Sequence, residues 1–132
     1  TIGEIAVQLA RRESLAISVE IRLGDWIVFH TALPGAKPDQ TSWIARKARV
    51  VLATAHSTML ERVKAEEAGI DWYQTYGMPE ESHAVHGGGL PLNVTGQGLV
   101  GALLISGLPQ VEDHLFGIRV LTEFLARAGE NE

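Results

Sequence analysis

Apolar residues recur at two different spacings in the first third of the chain. From Ile2 to Leu9 they share one face of a helix, which predicts a helix in the first dozen residues. From Leu15 to Leu23 apolar and polar residues alternate, as in a half-buried strand. Gly24-Asp25 permits a tight reversal into Trp26 to Thr31, a run rich in aromatic and β-branched residues. The pattern predicts a β-hairpin whose first strand exposes its polar side, formed by Ser18, Glu20 and Arg22.

A long helix is predicted after the hairpin. Pro34 and Pro38 end the hairpin, because each would remove a hydrogen-bond donor from the sheet. Thr41 or Ser42 can cap the helix, and Gly69 is placed to stop it. The apolar positions of this helix recur at helical spacing and are Ile44, Ala48, Val51, Leu52, Ala55, Met59 and Val63.

Three cations of the predicted helix, Arg46, Lys47 and Arg49, lie mostly off its apolar stripe. We therefore expect them to face solvent or a partner. From Ile70 to Val85 the pattern weakens, which predicts an irregular segment with one helical turn.

The last third of the chain predicts a second hairpin. Leu90 to Thr95 is one strand, Gly96 to Gly98 supplies a turn tolerant of positive φ, and Leu99 to Ser106 is the other strand. The second strand is apolar at almost every position, as in a central strand covered on both faces. It should lie in the same antiparallel sheet as the first hairpin.

A final helix follows Pro109, which suits a first helical position. The positions that we expect to be buried are Val111, Leu115, Ile118, Leu121 and Leu125. A second apolar row consists of Phe116, Val120 and Phe124. Two such rows, together with the off-stripe Trp43, exceed what one small core can cover, so the pattern predicts self-association.

Two hairpins separated by helices predict an α+β fold, in which helices pack on an antiparallel sheet. The 132 residues are enough for one domain, and no linker divides them. We therefore treat residues 1–132 as a single domain. No glycine-rich turn of the dinucleotide-binding type joins a strand to a helix, which argues against a doubly wound nucleotide fold.

Composition narrows the classes of function. A net charge of −5 disfavours a general nucleic-acid binder, which needs cations to neutralise phosphates. The absence of cysteine excludes disulfide and thiolate chemistry. The longest nearly apolar run, Leu99 to Leu108, falls short of the roughly 20 residues that a membrane helix needs. No basic stretch followed by an apolar one is present near Thr1, so no signal peptide is predicted and the expected location is cytoplasmic.

The loop from His83 to Pro91 is the first candidate for chemistry. Gly87, Gly88 and Gly89 let a backbone approach a ligand closely, although they also suit a flexible entry to a strand. His83 and His86 are spaced for a metal, but no third or fourth ligand follows nearby, so no metal site is predicted.

The segment from Ser106 to His114 is the second candidate. It brings a hydroxyl and Gly107 to a helix N-terminus, where free amides attract negative groups. Glu112 and Asp113 already complement that helix dipole, so a plain capped helix start explains the segment equally well. His114 is a site residue or a histidine at the edge of the core.

The third candidate is Trp43 with Arg46 and Lys47 near the start of the long helix. The indole can line a pocket or plug an interface, and the cations can hold carboxylates. A solvated helix face explains the charges as well. Because no Ser-His-Asp order, P-loop or HExxH motif is present, nothing fixes a reaction type.

Taken together, these strings resemble one family. They are Trp43-Ile44 with Arg46-Lys47, His86-Gly87-Gly88 with Pro91, Gly98 with Gly101, and Ser106-Gly107-Leu108-Pro109-Gln110 with Asp113-His114. The chain is similar, from about Leu15 to Leu125, to the haem-degrading-like family, which includes haem-binding secreted proteins and GlcG-like proteins. Within it, the tryptophan before Arg-Lys and the SGLPQxxDH string mark one branch. The resemblance implies a profilin-like antiparallel sheet of four or five strands flanked by helices, and an oligomer.

These observations favour an oligomeric module that binds a small molecule, either haem or another planar or carboxylate-bearing ligand. The pocket would combine the glycine loop, the Ser106 turn and residues of the long helix from a neighbouring subunit. The candidate ligand-binding residues are Trp43, Arg46, Lys47, His86, Gly87, Gly88, Ser106, Gly107, Gln110, Asp113 and His114.

Two other interpretations remain open. In the first, the chain is an enzyme that uses His86 or His114 as general acid or base, since histidine titrates near neutral pH. Alternatively, it is an adaptor that binds another protein through an exposed helix face. Topology also predicts that His86 and His114 converge, because the first strand of the second hairpin begins where the second strand ends.

Overall fold

The computed structural model describes residues 1–130 of the chain. These residues form five helices and four strands. In chain order they are α1 (Ile2–Arg12), β1 (Ser18–Leu23), β2 (Trp26–Ala32), α2 (Asp39–Thr54), α3 (Thr58–Ala68), α4 (Trp72–Tyr76), β3 (Gly89–Val94), β4 (Gly98–Ser106) and α5 (Gln110–Glu130).

The four strands form one antiparallel sheet in the order β2-β1-β4-β3. Strand β4 is therefore central, as its uninterrupted apolar sequence predicts, and it pairs with β1 from Ser18↔Ser106 to Leu23↔Gly101. Both hairpins lie in the sheet. This arrangement confirms the α+β prediction of an antiparallel sheet flanked by helices.

Both faces of β4 are covered. Leu103 and Ile105 face a core that includes Ile5 of α1 and Val120 of α5. The alternate residues of β4 face the other way and pack against α2; this second cluster consists of Ile44, Ala48, Val51, Ala102 and Leu104. The sheet thus lies between α1 and α5 on one side and α2 on the other. No helix within the described residues is both long and apolar enough to cross a membrane.

The predicted long helix is wrong, because the chain forms two helices there. Helix α2 begins at Asp39 rather than at Thr41 or Ser42, and it ends where Ala55 adopts a left-handed conformation with φ of 60°. Ser57 then caps α3 by accepting a hydrogen bond from the Leu60 amide at 3.1 Å. Because the Ser57 hydroxyl caps it, α3 starts as a separate helix. The apolar spacing continues across the break and therefore does not indicate it. Helix α3 ends at Gly69, as predicted.

The polar side of β1 is buried rather than exposed. Arg22 Nε donates to Glu20 Oε2 at 2.7 Å, and His30 Nδ1 lies 2.9 Å from Glu20 Oε1. Ser18 donates to Gln40 Oε1 at 2.7 Å. These partners replace the water that the polar side chains give up. The polar side of β1 is therefore buried, although its alternation of apolar and polar residues predicts an exposed side.

The expected buried row of α5 is also wrong. Val111, Leu115, Ile118 and Leu125 are exposed, and only Leu121 of that row packs partly against the core. The core-facing row instead contains Phe116 and Val120, which are 2% and 0% exposed. The reason lies in two contacts on the same side of the helix, an ion pair made by Asp113 and the close packing of Gly117 on Leu90.

Candidate functional site

A cavity of about 410 Å³ opens where the end of β4 meets the first turns of α2 and α5. This volume lies within the usual range of small-molecule sites, roughly 300–1,000 Å³. Polar and charged residues line it together with Trp43 and a few small or aliphatic residues. The lining residues are Ala16, Gly35, Lys37, Asp39, Gln40, Trp43, Lys47, His86, Ser106, Gly107, Leu108, Gln110 and Asp113.

The second hairpin brings the two distant parts of the site together. The Ile105 amide donates to the Gly88 carbonyl at 2.8 Å, and the Gly87 amide donates to Gln110 Oε1 at 3.2 Å. The start of β3 and the end of β4 therefore lie at the same end of the sheet, as the topology of an antiparallel hairpin requires. This places His86 beside the turn that leads into α5.

Lys47 is the most deeply buried charged residue of the cavity wall. The expectation that it faces solvent is wrong, because its side chain is 2% exposed. Its Nζ donates to the Ile105 carbonyl at 2.8 Å and to Asp113 Oδ2 at 3.2 Å. The lysine consequently joins α2 to β4 and to α5, across 58 and 66 positions of sequence.

Burial shifts both members of this ion pair. The loss of hydration lowers the pKa of Lys47, and the neighbouring Asp113 carboxylate opposes that shift. Burial likewise raises the pKa of Asp113, opposed by Lys47 and by the Leu108 amide, which donates to Oδ1 at 3.0 Å. A buried ion pair with shifted pKa values on a cavity wall is a common property of functional sites, although structural ion pairs share it.

The ammonium group of Lys47 has three N–H donors, and the two hydrogen bonds described above use two of them. Lys47 is one of the residues that line the cavity. Its third N–H donor is not used by these two hydrogen bonds.

Trp43 supplies the aromatic wall and is held between two side chains. Its ring centroid lies 4.5 Å from that of His86, and the Arg46 guanidinium lies 4.4 Å from the indole centroid. Arg46 also donates through Nε and Nη2 to the Glu80 carbonyl, at 3.0 and 2.7 Å. Arg46 thus holds the indole and the loop that contains Glu80 in place. It does not line the cavity.

The two candidate histidines differ in position. Burial lowers the pKa of His86, and the cations Arg62, Lys47 and Arg46 lower it further, opposed by Glu80. His86 lines the cavity, whereas His114 does not. Burial alone lowers the pKa of His114, whose Nδ1 is buried and has no hydrogen-bond partner among the described residues.

The glycines of the His86 loop serve close packing within the protein. A Cβ atom on Gly87 would lie 2.2 Å from the Gln110 carbonyl oxygen. On Gly88, where φ is +125°, it would lie 2.4 Å from the Ile105 carbonyl oxygen and 2.7 Å from Lys47 Nζ. Neither glycine lines the cavity. The backbone approaches its own neighbours here, which favours the packing interpretation of these two residues.

The cavity is lined by most of the candidate residues but not by all of them. Of the candidate residues, those that line the cavity are Trp43, Lys47, His86, Ser106, Gly107, Gln110 and Asp113. Those that do not are Arg46, Gly87, Gly88 and His114. All seven lining residues belong to one protomer, so the cavity does not need a neighbouring subunit to supply Trp43 or Lys47.

Six lining residues were not among the candidates; they are Ala16, Gly35, Lys37, Asp39, Gln40 and Leu108. Gly35 and Lys37 lie between β2 and α2, and Asp39 and Gln40 begin α2; the sequence marks this region only as the end of a hairpin. The available signal was Gln40, a polar residue that is buried and donates to the Ala16 carbonyl at 3.1 Å. No group of three side chains able to hold a metal ion occurs within residues 1–130.

Relatives with similar sequences span nearly the whole chain. A UPF0303 protein of Streptomyces avermitilis is 40% identical over 125 residues, which cover 95% of this chain and 77% of the relative. A UPF0303 protein of Rhizobium johnstonii is 35% identical over 126 residues, which cover 96% and 77% respectively. A model of the family described as haem degrading protein HbpS-like matches residues 1–122. The chain belongs to the HbpS-like family.

Solved structures support the fold of this HbpS-like chain. The Ybr137w protein superposes with a TM-score of 0.85 at 24% identity, covering 96% of this chain and 75% of the other. HbpS gives 0.73 at 18% identity, covering 92% and 82%. A complex of PduOC with haem gives 0.77 at 20% identity, covering 92% and 87%. At these identities the likeness shows the fold.

Proposed function

We propose that this HbpS-like chain binds a planar, carboxylate-bearing small molecule in the 410 Å³ cavity. The observation that carries the proposal is the unused N–H donor of Lys47, a buried cation on the cavity wall. A hydrogen bond between an ammonium and a carboxylate is charge-assisted and stronger than a neutral one. Burial of the amine increases that advantage, because water competes less for the ligand there.

The rest of the wall suits such a ligand. Trp43 offers an aromatic surface for a planar group, and its contacts with His86 and Arg46 hold the indole in place. Lys37 lies exposed on the same wall and supplies a second cation. Asp113 is already paired with Lys47, so a ligand carboxylate does not face an unpaired negative charge there.

The test uses a panel of small planar carboxylates with benzoate as reference and benzamide as the neutral match, titrated by calorimetry. We expect benzoate to bind at least about tenfold more tightly than benzamide, a difference of about 1.4 kcal/mol. Trp43→Ala should weaken benzoate binding, whereas Trp26→Ala, which removes an exposed indole on β2, should not. Failure of every carboxylate to bind, or equal losses in the two variants, would overturn the proposal.

Haem is the second candidate ligand, supported by family membership and by the haem complex of PduOC. The specific observation in its favour is the imidazole of His86 on the cavity wall, since imidazole is a ligand for haem iron. Charged residues on the same wall, among them Lys37, Asp39 and Lys47, do not match the apolar macrocycle, so the case for haem depends on the imidazole of His86.

Titration with haemin, followed by the Soret absorption band, tests this second candidate. If haem binds through His86, His86→Ala should abolish the shift of the band, whereas His83→Ala, three residues away, should leave it unchanged. An unchanged band in the wild type, or equal behaviour of the two variants, would exclude haem ligation by His86.

A further inference from the structure

A second cavity, of about 260 Å³, is lined by residues of α3, α4 and the loop that precedes β3. Its volume exceeds the roughly 150 Å³ of an apolar protein cavity that holds one benzene molecule. It is therefore large enough for a small ligand that contains one ring. We call it the α3–α4 cavity. His86 lines both this cavity and the first one, so the two adjoin at its imidazole.

Two aromatic rings of α4 line the α3–α4 cavity and are held nearly at a right angle. The ring centroids of Trp72 and Tyr73 lie 5.4 Å apart, with an interplanar angle of 81°. Trp72 Nε1 donates to Glu61 Oε1 at 3.1 Å, and the Tyr73 hydroxyl accepts from the Val85 amide at 3.1 Å. These hydrogen bonds fix both rings, so the wall offers aromatic surface in a defined position.

Negative charge exceeds positive charge among the described residues around these rings. Arg62 lines the cavity together with three carboxylates, those of Glu66, Asp71 and Glu80. Arg62 Nε donates to Glu66 Oε1 at 2.7 Å, so the charges of this pair compensate each other. Asp71, which also caps α4, and Glu80 in the loop before β3 then leave the wall with an excess of negative charge.

We propose that the α3–α4 cavity binds an organic ammonium group. A cation is attracted both to the faces of aromatic rings and to carboxylates, and this wall combines the two. The apolar side chains of Ala65 and Ile70 on the same wall suit the carbon skeleton that carries the ammonium.

Other ligand classes fit the α3–α4 cavity less well. The excess of carboxylates repels an anion. Within residues 1–130, no group of three side chains is arranged to hold a metal ion. The site is distinct from the one proposed for a carboxylate, and the inference does not depend on that proposal.

Calorimetric titration with benzylamine, which is protonated at pH 7, tests the site, and benzyl alcohol is the neutral match. Benzylamine should bind at least about tenfold more tightly. Glu80→Gln should weaken benzylamine binding about threefold, whereas Glu81→Gln, which neutralises the adjacent exposed carboxylate outside the cavity lining, should leave it unchanged. Equal affinities for the two compounds, or equal losses in the two variants, would overturn the proposal.

Two further variants separate the cavity from a general attraction of cations to a protein of net charge −5. Ile70→Lys places a cation on the cavity wall and should weaken benzylamine binding at least about threefold. Val63→Lys is the matched control, because Val63 is 37% exposed against 39% for Ile70, and it does not line the cavity. The same loss in both variants would show attraction by net charge and would overturn the proposal.

Arg62→Gln tests the sign of the electrostatic effect. The substitution removes a cation from the wall and releases Glu66 from its ion pair, so benzylamine should bind about twofold more tightly. A substitution that only disturbed packing would weaken binding. Weaker binding by Arg62→Gln would therefore contradict the proposed site.

Nuclear magnetic resonance tests where benzylamine binds. The imidazole signal of His86, identified by its loss in His86→Gln, should shift during the titration because His86 lines the α3–α4 cavity. The signal of His114, which lines neither this cavity nor the first one, should stay in place. An unmoved His86 signal at saturation would overturn the proposal.

Discussion

The two sides of α5 are both apolar, yet only one is buried. The inner side presents Asp113, Phe116, Gly117 and Val120 to the sheet. The outer side presents the longer aliphatic row, which consists of Val111, Leu115, Ile118 and Leu125, to solvent. The side with the larger aliphatic residues is therefore the exposed one, which shows that apolar spacing identifies candidate faces but does not rank them.

Specific contacts decide which side of α5 faces the sheet. Asp113 is a charged residue on the inner side, and its carboxylate is satisfied there by Lys47 and by the Leu108 amide. Gly117 leaves room for Leu90, which a Cβ atom would approach to 2.3 Å. A rotation of the helix that buried this outer row would lose both contacts and expose Phe116. The difference between the two sides can be tested by the following substitutions.

Phe116→Ala should have the largest effect on stability. The side chain is 2% exposed, and its removal leaves a cavity in the core, which costs about 4 kcal/mol of unfolding free energy. Leu125→Ala on the outer side should change stability by less than about 0.5 kcal/mol when measured at low protein concentration. Urea unfolding measures both values. Similar losses for the two variants would mean that the inner and outer sides are misassigned.

Asp113→Ala should cost about 3 kcal/mol, because it leaves the buried ammonium of Lys47 without its counter-charge. The adjacent Glu112→Ala removes an exposed carboxylate and serves as the control, with an expected change of less than about 0.5 kcal/mol. The same unfolding experiment applies. An Asp113→Ala variant as stable as the Glu112→Ala variant would show that the ion pair does not hold the helix.

Gly117→Ala should destabilise by about 1–2 kcal/mol, because the added methyl group collides with Leu90 in the core. The collision outweighs the gain in helix propensity, which favours alanine over glycine by about 1 kcal/mol. Gly129→Ala, at a position with no atom within 4 Å of the added Cβ, should be neutral or slightly stabilising. A stabilising Gly117→Ala substitution would contradict the close packing of α5 on β3.

The smallest expected effect is on the pH dependence of stability and comes from His114, which lies between the inner and outer sides of α5. Burial lowers the pKa of His114 below its ordinary value of 6.5. A group with a lowered folded pKa contributes stability above its unfolded pKa, and that contribution is lost as the pH falls through the folded pKa. Between pH 7 and pH 5 the wild type should therefore lose more stability than His114→Gln, measured by urea midpoints. Equal losses would show that His114 stays uncharged or solvated in both states.

Local chemistry was sufficient to predict the hairpins. The turn residues Gly24-Asp25 and the glycines at 96 and 98 lie where strands reverse, and the apolar run of β4 identifies the central strand. The break between α2 and α3 was missed because the apolar stripe continues across it, while Ser57 alone signals a new helix start. Residues that line the cavity were found where a motif drew attention to them and missed in the segment before α2.

The sequence by itself determined the two hairpins, the first and last helices, the central position of β4 and the family, because these follow from turns, periodicity and motifs that lie close together along the chain. Tertiary structure decided which side of α5 is buried, and it placed Lys47 inside rather than on the surface. Those outcomes depend on contacts such as Lys47 with Asp113, 66 positions apart. Local sequence predicts that a charged residue is exposed. Burial becomes favourable only when a partner distant in sequence supplies the opposite charge and hydrogen bonds.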